Sequence, residues 1–168
     1  MQLSQPLWLV FGPAVLVGCA IQAPTPGMSR DEVVARLGQP TKVIPLGAGE
    51  RLQYSRQPAG QWAMMVDLDA SGKVVQARQV LKAAEFARIE PGKWTRDDVE
   101  REFGRPAKID RVASWNGDVW TYRWTDGHDM FYWVYLDPGG VVRRTQQGME
   151  FLNSPKEKMS AAKGLAGR

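Results

Sequence analysis

Residues 30–40 read RDEVVARLGQP, and residues 96–106 read RDDVEREFGRP. The two stretches share the R-D-acid-V start and the terminal glycine and proline at a separation of 66 positions. Further along, VDLD at 66–69 is matched by VYLD at 134–137, now 68 positions apart. A loop insertion of two residues between the blocks accounts for the difference. The sequence therefore predicts one structural unit that occurs twice.

Each copy is predicted to begin with a short helix. A serine or threonine suits the N-cap, and the acids that follow favour the positive end of the helix dipole, with Glu32 placed to complete a capping box. A glycine suits the left-handed position that ends a helix, and a proline two residues later prevents continuation. These structural residues are Ser29, Gly38 and Pro40 in the first copy and Thr95, Gly104 and Pro106 in the second.

After each proline the hydrophobic pattern alternates as in β-strands. Residues 81–89 favour one further helix. The predicted fold class is α+β, with two tandem ααβββ units, each with short helices packed on a three-stranded antiparallel sheet. The strands are expected near 50–56, 61–69 and 73–80 in the first unit and near 118–124, 129–137 and 141–147 in the second.

The chain ends are predicted to lie outside these units. Residues 27–81 form the first unit and 82–152 the second. The remaining segments are a lipoprotein signal peptide at 1–18, a tether at 19–26 and a disordered basic tail at 153–168.

The signal peptide is recognised by a short apolar run at residues 6–18, which falls below the ~20 residues that a membrane-spanning helix needs. It ends in Leu16-Val17-Gly18-Cys19, which resembles the lipobox of bacterial lipoproteins. Cys19 is therefore the expected lipidation site, and Ala20 after it points to the outer membrane. An ordinary signal sequence followed by a free cysteine is the alternative.

The composition argues against several function classes. The chain has 22 basic and 18 acidic residues, a net charge of +4, and no dense basic run, so nucleic acid binding is not expected. The single cysteine and the single histidine, His128, do not make a metal site, and Asp126-Gly127-His128-Asp129 is typical of a polar hairpin turn. We therefore expect a non-catalytic protein without a metal or cofactor.

The duplicated motif resembles a known family. Gly27-Met28-Ser29 through Val33, followed by Leu37-Gly38-Gln39-Pro40, is similar to the "GM(S/T)…V…(L/F)GxP" signature of the BamE/SmpA/OmlA lipoproteins. The second copy repeats it from Pro91 to Pro106. The resemblance implies an ααβββ fold of the kind that β-lactamase inhibitor protein carries twice in tandem.

The resemblance also implies a function. We expect a lipoprotein anchored in the outer membrane on its periplasmic face that binds another envelope protein, with outer-membrane protein assembly as the process. One alternative is a periplasmic inhibitor or binder of a hydrolase. Another is an envelope integrity factor that contacts anionic phospholipid through basic residues and exposed tryptophans.

An aromatic set on the second sheet is the candidate binding surface. Met64, Val66 and Leu68 are expected to face the core and Asp67 the solvent, so the inward set 68 positions later would be Tyr132, Val134 and Leu136. The protein-binding candidates are the outward Phe131, Trp133 and Tyr135, with Trp115 in the preceding loop and Trp124 on the neighbouring strand. Packing of these residues against the first unit, or under the C-terminal segment, is the alternative.

Overall fold

The computed structural model describes residues 22–150, so the predictions for the signal peptide, Cys19 and the tail at 153–168 lie outside the described residues. Within residues 22–150 there are three helices and eight strands. The helices are α1 (Arg30–Leu37), α2 (Ala83–Phe86) and α3 (Arg96–Phe103). The strands are β1 (Lys42–Leu46), β2 (Gly49–Ser55), β3 (Ala63–Leu68), β4 (Val74–Gln79), β5 (Lys108–Asp110), β6 (Asp118–Thr125), β7 (Asp129–Leu136) and β8 (Val142–Met149).

The strands form two four-stranded antiparallel sheets, in the orders β1-β2-β3-β4 and β5-β6-β7-β8. The predicted α+β class is confirmed, and the six predicted strands are present. The prediction of three strands per sheet is wrong, because β1 and β5 each add one at a sheet edge. β5 has only three residues and β1 contains Pro45, so neither shows a clear alternating pattern.

The helix boundaries follow the predicted capping residues. Ser29 Oγ accepts a hydrogen bond from the Glu32 amide, and the Glu32 carboxylate accepts one from the Ser29 amide at 2.6 Å. Thr95 and Asp98 repeat this capping box on α3. The helices end before Gly38 and Gly104, whose φ angles are 83° and 77°. The helix predicted at 81–89 is present only as the single turn α2.

A tyrosine in each sheet fixes the end of the preceding helix. The Tyr54 hydroxyl donates to the Gly38 carbonyl at 3.2 Å, and the Tyr122 hydroxyl donates to the Gly104 carbonyl at 2.8 Å. Burial raises the pKa of Tyr122 well above its ordinary value, which keeps this hydroxyl a donor. Each sheet thus holds the terminating glycine of its own helix.

Two hydrophobic clusters form the core. One lies between α1 and the inner face of the first sheet, where Met64, Val66 and Leu68 point inward as predicted. The larger one lies under α2 and α3 and is aromatic, with Phe86 stacked on Tyr132 at 4.0 Å between ring centroids. Met65, from the outer face of the first sheet, belongs to this second cluster. The second core therefore joins the two sheets.

The outer face of the first sheet is covered by the second unit. The expectation that Asp67 marks a solvent-facing side is wrong, because α3 packs over it. Arg51 donates to both carboxylate oxygens of Asp67 and, at 2.9 Å, to Glu102 on α3. Gln53 donates to the carbonyls of Glu100 and Arg101 at 2.9 and 3.0 Å, which satisfies groups that a helix C-terminus leaves unpaired.

Opposite charges face each other across this contact. Three cations of the first sheet's outer face form ion pairs with three acids on α2 and α3. The pairs are Lys42 with Glu100, Arg51 with Glu102, and Arg78 with Glu85. The side chain of Arg51 is only 6% exposed, so its charge is compensated inside the interface.

Replacement of Arg51 by alanine tests this interface. The substitution leaves the largely buried Asp67 without its cation and takes one of several arginines from Glu102, and we expect a loss of ~3–5 kcal/mol in the free energy of unfolding by urea. Arg30→Ala, which breaks the half-exposed pair with Glu50, is the control and should cost less than ~1 kcal/mol. Equal effects of the two substitutions would contradict the account.

Glu102 should also give the fold a dependence on acid pH. Burial acts to raise the pKa of Glu102, but its interactions with Arg51, Arg88 and Arg78 outweigh burial and lower that pKa. The stabilisation is therefore complete above the ordinary glutamate pKa of about 4.3 and is lost as the pH falls through the lowered pKa.

We expect Glu102→Gln to flatten the decline of unfolding free energy between about pH 5 and pH 3, relative to the unmodified protein. The measurement is the urea midpoint at a series of pH values. Glu90→Gln, at a side chain that is 57% exposed, serves as the control. A decline that stays as steep in Glu102→Gln would show that other carboxylates govern the acid response.

Candidate functional site

The outer face of the second sheet carries the predicted aromatic residues. We call it the aromatic face. The register places Tyr135 between Val119 and Arg144, and Trp133 between Thr121 and Gln146. The outward residues of β6, β7 and β8 that define the face are Val119, Thr121, Arg123, Thr125, Asp129, Phe131, Trp133, Tyr135, Arg144, Gln146 and Gly148.

Phe131, Trp133 and Tyr135 are half-buried on this face and belong to neither hydrophobic cluster of the described residues. The rings of Phe131 and Trp133 lie 5.7 Å apart and cover each other in part. The Trp133 ring also lies over Gly148, where an added Cβ would approach it to 3.0 Å. The absence of a side chain at Gly148 therefore lets the indole lie across the neighbouring strand.

Trp115 joins the face from the loop between β5 and β6. Its indole N–H donates to the Leu136 carbonyl at 2.8 Å, which fixes the ring. The Tyr135 ring meets it edge-on at 5.3 Å. The Arg144 guanidinium lies 3.9 Å from the centroid of Tyr135 and 5.3 Å from that of Trp115. Trp115 thus lies at one end of the face, in a cluster with a tyrosine and an arginine.

A groove of about 460 Å³ runs beside Phe131 and Trp133. Arg123 borders it and is held by the Glu150 carboxylate at 2.9 Å and the Pro58 carbonyl at 2.8 Å. The side chain of Gln57 completes this edge, because its amide exchanges two hydrogen bonds with the backbone of Arg123. The first unit therefore borders the groove and leaves it open.

Trp124 does not belong to the binding surface. It is 2% exposed and packs in the second core with Trp120 and Tyr122. The register explains this difference, since Tyr122 pairs with the inward Tyr132, so Trp124, two residues on, shares the inner face. Of the five predicted protein-binding residues, the structure brings Phe131, Trp133, Tyr135 and Trp115 together.

His128 lies in a polar hairpin turn, as predicted. His128 is exposed in the turn between β6 and β7, where its carbonyl accepts from the Asp126 amide. The residues that the structure describes contain no group of three histidine, cysteine or acidic side chains placed to hold a metal. No helix among residues 22–150 is long and apolar enough to span a membrane.

Sequence reasoning missed Arg144. It lies directly across from Tyr135, so its side chain points to the aromatic face. The equivalent position in the first unit, 68 residues earlier, is Gln76, and β4 pairs it with Asp67. The change from Gln76 to Arg144 between the copies could have indicated a new charge on this face, but only if the register of the edge strands β4 and β8 had been known.

No family model and no curated protein matches the chain. A DUF4309 family protein (YjgB) from Bacillus subtilis shares 12% identity over 73% of this chain and 78% of that chain, with a TM-score of 0.32. An extracellular protein containing a SCP domain from Bacillus anthracis shares 11% identity over 94% and 57%, with a TM-score of 0.30. Similarity this weak leaves the function to be argued from the chain's own residues.

Gly148→Ala tests the packing of Trp133 on β8. We expect the added methyl group to displace the indole, because its contact distance would be 3.0 Å. In protein labelled with 5-fluorotryptophan, the ¹⁹F resonance that disappears in Trp133→Phe should shift in Gly148→Ala. Gln147→Ala, at an exposed position of the same strand, should leave that resonance in place. An unchanged resonance in Gly148→Ala would mean that the ring does not lie over the glycine.

Proposed function

We propose that this protein is a non-catalytic lipoprotein, anchored through Cys19 to the periplasmic face of the outer membrane, that binds another envelope protein through the aromatic face. Its two units are tandem copies of one ααβββ-type module to which each sheet adds an edge strand. The resemblance of both motif copies to the BamE/SmpA/OmlA signature supports a partner in outer-membrane protein assembly.

One observation supports the binding surface above the others. The outer face of the first sheet is covered by α3, with Arg51 and Gln53 buried to 5% and 2% exposure. The equivalent face of the second sheet has no such cover among the described residues, and it presents half-exposed Phe131, Trp133 and Tyr135. Apolar surface of this kind in a soluble domain usually marks a contact, and tryptophan and tyrosine are favoured interface anchors.

The size of the face is consistent with a protein partner. Three strands of eight residues and the three-residue β5, about 4.8 Å apart, give a flat area of about 400–450 Å². A standard interface buries about 800 Å² on each partner. The partner is therefore expected to contact the rim as well, where Trp115 and the edge of the groove at Pro58 extend the surface.

A crosslinking pull-down from the native envelope tests the proposal. We expect the anchored protein to capture a specific envelope protein, and Trp133→Ala to abolish the capture because it removes the largest exposed ring of the face. Val75→Ala removes an apolar side chain that is 54% exposed on the first sheet and serves as the matched control.

Equal capture by Trp133→Ala would contradict the proposal. A loss of ~3 kcal/mol or more in the unfolding free energy of Trp133→Ala would make the residue part of the core instead. Capture of a hydrolase with loss of its activity would identify an inhibitor. Binding of the Cys19→Ala form to anionic vesicles, with no protein captured, would identify a phospholipid-contacting protein.

A further inference from the structure

We propose that the aromatic face recognises a partner segment that carries a carboxylate beside apolar side chains, with Arg144 as the carboxylate-binding residue. This inference rests on the proposed function above and specifies the chemistry of the partner at that same surface.

Arg144 is the cation of this face that lacks a counter-charge within residues 22–150. Lys108 pairs with Asp110 at 3.0 Å, and Arg123 pairs with Glu150 at 2.9 Å. No ion pair or side-chain hydrogen bond joins Arg144 to another residue of the described part of the chain. The positive charge at this end of the face is therefore available to an acidic group of a partner.

The surroundings of Arg144 prepare it for that role. Its guanidinium is held 3.9 Å from the centroid of Tyr135, with Trp115 on a second side. Stacking on aromatic rings orients an arginine and leaves its N–H groups at the edge of the stack, where they can pair with a carboxylate. Because the side chain is already ordered, less conformational entropy is lost when the carboxylate binds.

The first sheet shows what such a face accepts. Its outer face is occupied by α2 and α3, which bring Glu85, Glu100 and Glu102 onto three cations while Phe103 enters the core that contains Met65. The occupant is thus an acidic segment with apolar side chains. The second sheet keeps the same combination of an edge-strand cation and an apolar centre, with Trp133 at the position equivalent to Met65.

A second copy of this chain is not the expected occupant. Arg51 and Gln53, which bind the carbonyls at the end of α3, are replaced by Val119 and Thr121 at the equivalent positions of the second sheet. Neither replacement can reach out to a helix end. The second sheet therefore lacks the donors that hold α3 on the first sheet, and it could not bind the α1 helix of another molecule in the same way.

Two other occupants fit the charges less well. Residues 151–168 contain four basic side chains and one acidic side chain, which Arg144 does not attract. A membrane rich in anionic lipid would find only one uncompensated cation on this face, because Lys108 and Arg123 are already paired with Asp110 and Glu150. A protein segment can present its carboxylate to Arg144 alone.

The face also sets the spacing of the segment. The guanidinium of Arg144 stacks on Tyr135, and Phe131 borders the groove. Tyr135 and Phe131 are four residues apart on β7, or about 13 Å. An extended segment would place its carboxylate about four residues from the apolar side chain that enters the groove. Asp129 is exposed at the far end of β7. If the segment were reversed on the face, its carboxylate would lie beside that of Asp129, and the two like charges would repel.

Selection from a phage-displayed library of random 12-residue peptides tests this inference on the mature Cys19→Ala chain. We expect the selected peptides to carry aspartate or glutamate at a fixed distance from leucine, isoleucine or phenylalanine. Selection on Arg144→Glu should yield lysine or arginine at that same position. Selection on Trp133→Ala should yield neither pattern.

A synthetic peptide from the first selection then gives the affinities. Arg144→Ala should weaken its binding roughly tenfold or more, as expected for loss of a charge-assisted pair. Arg143→Ala is the matched control, because Arg143 is the neighbouring exposed arginine and its charge is already paired with Asp137. It should leave the affinity within about twofold.

Several results would overturn the inference. Selected peptides that need Trp133 but carry no fixed acid would refute the role of Arg144 and leave the proposed function in place. An equal effect of Arg143→Ala would show unspecific charge attraction. Vesicles of phosphatidylcholine and phosphatidylglycerol that bind through Arg144, when no acidic peptide is selected, would assign the face to the membrane. If no Trp133-dependent peptide is selected, the inference fails, and the crosslinking experiment decides the proposed function separately.

Discussion

The guanidinium of Arg51 holds the two halves of this protein together. It lies between Asp67 of its own sheet and Glu102 of the helix that packs over that sheet, and it also donates to the Arg101 carbonyl at the helix end. A cation at the C-terminus of a helix is favoured by the helix dipole, and two carboxylates compensate for its removal from water. This single group therefore fixes where α3 can sit, and with it the second sheet.

The position of α3 makes the two sheets unlike in what covers their outer faces. Among residues 22–150, equivalent faces are covered in the first sheet and open in the second, although the strands, the terminal glycines and the tyrosines that hold them repeat. Arg51 and Gln53, which bind the end of α3 in the first sheet, have an apolar and a short counterpart in Val119 and Thr121 of the second, where aromatic rings and Arg144 occupy the surface. In our account one copy of the module uses this face to build the protein, and the other uses it to bind a partner.

Much of this arrangement could be predicted from the sequence, because the repeat allowed each half to be checked against the other. Ser29 and Thr95 marked the helix starts, and the alternation in VDLD and VYLD oriented β3 and β7 correctly. The sequence could not show that Asp67 lies under a helix, since an aspartate on an outward position looks the same whether water or Arg51 faces it. Trp124 was misplaced for a related reason: the strand 118–125 has aromatic residues on its inner face, and only its register with β7 separates the buried rings from the exposed ones.

The central claim is that equivalent faces of the two sheets differ in what covers them, and hydroxyl-radical footprinting measures this directly. In the purified protein, we expect rapid oxidation of Trp133 and slow oxidation of Met65, which is 1% exposed. In the native envelope, Trp133 should become protected while Met65 stays unchanged. Rapid oxidation of Met65 in the purified protein, or equal oxidation of Trp133 in both samples, would contradict the account.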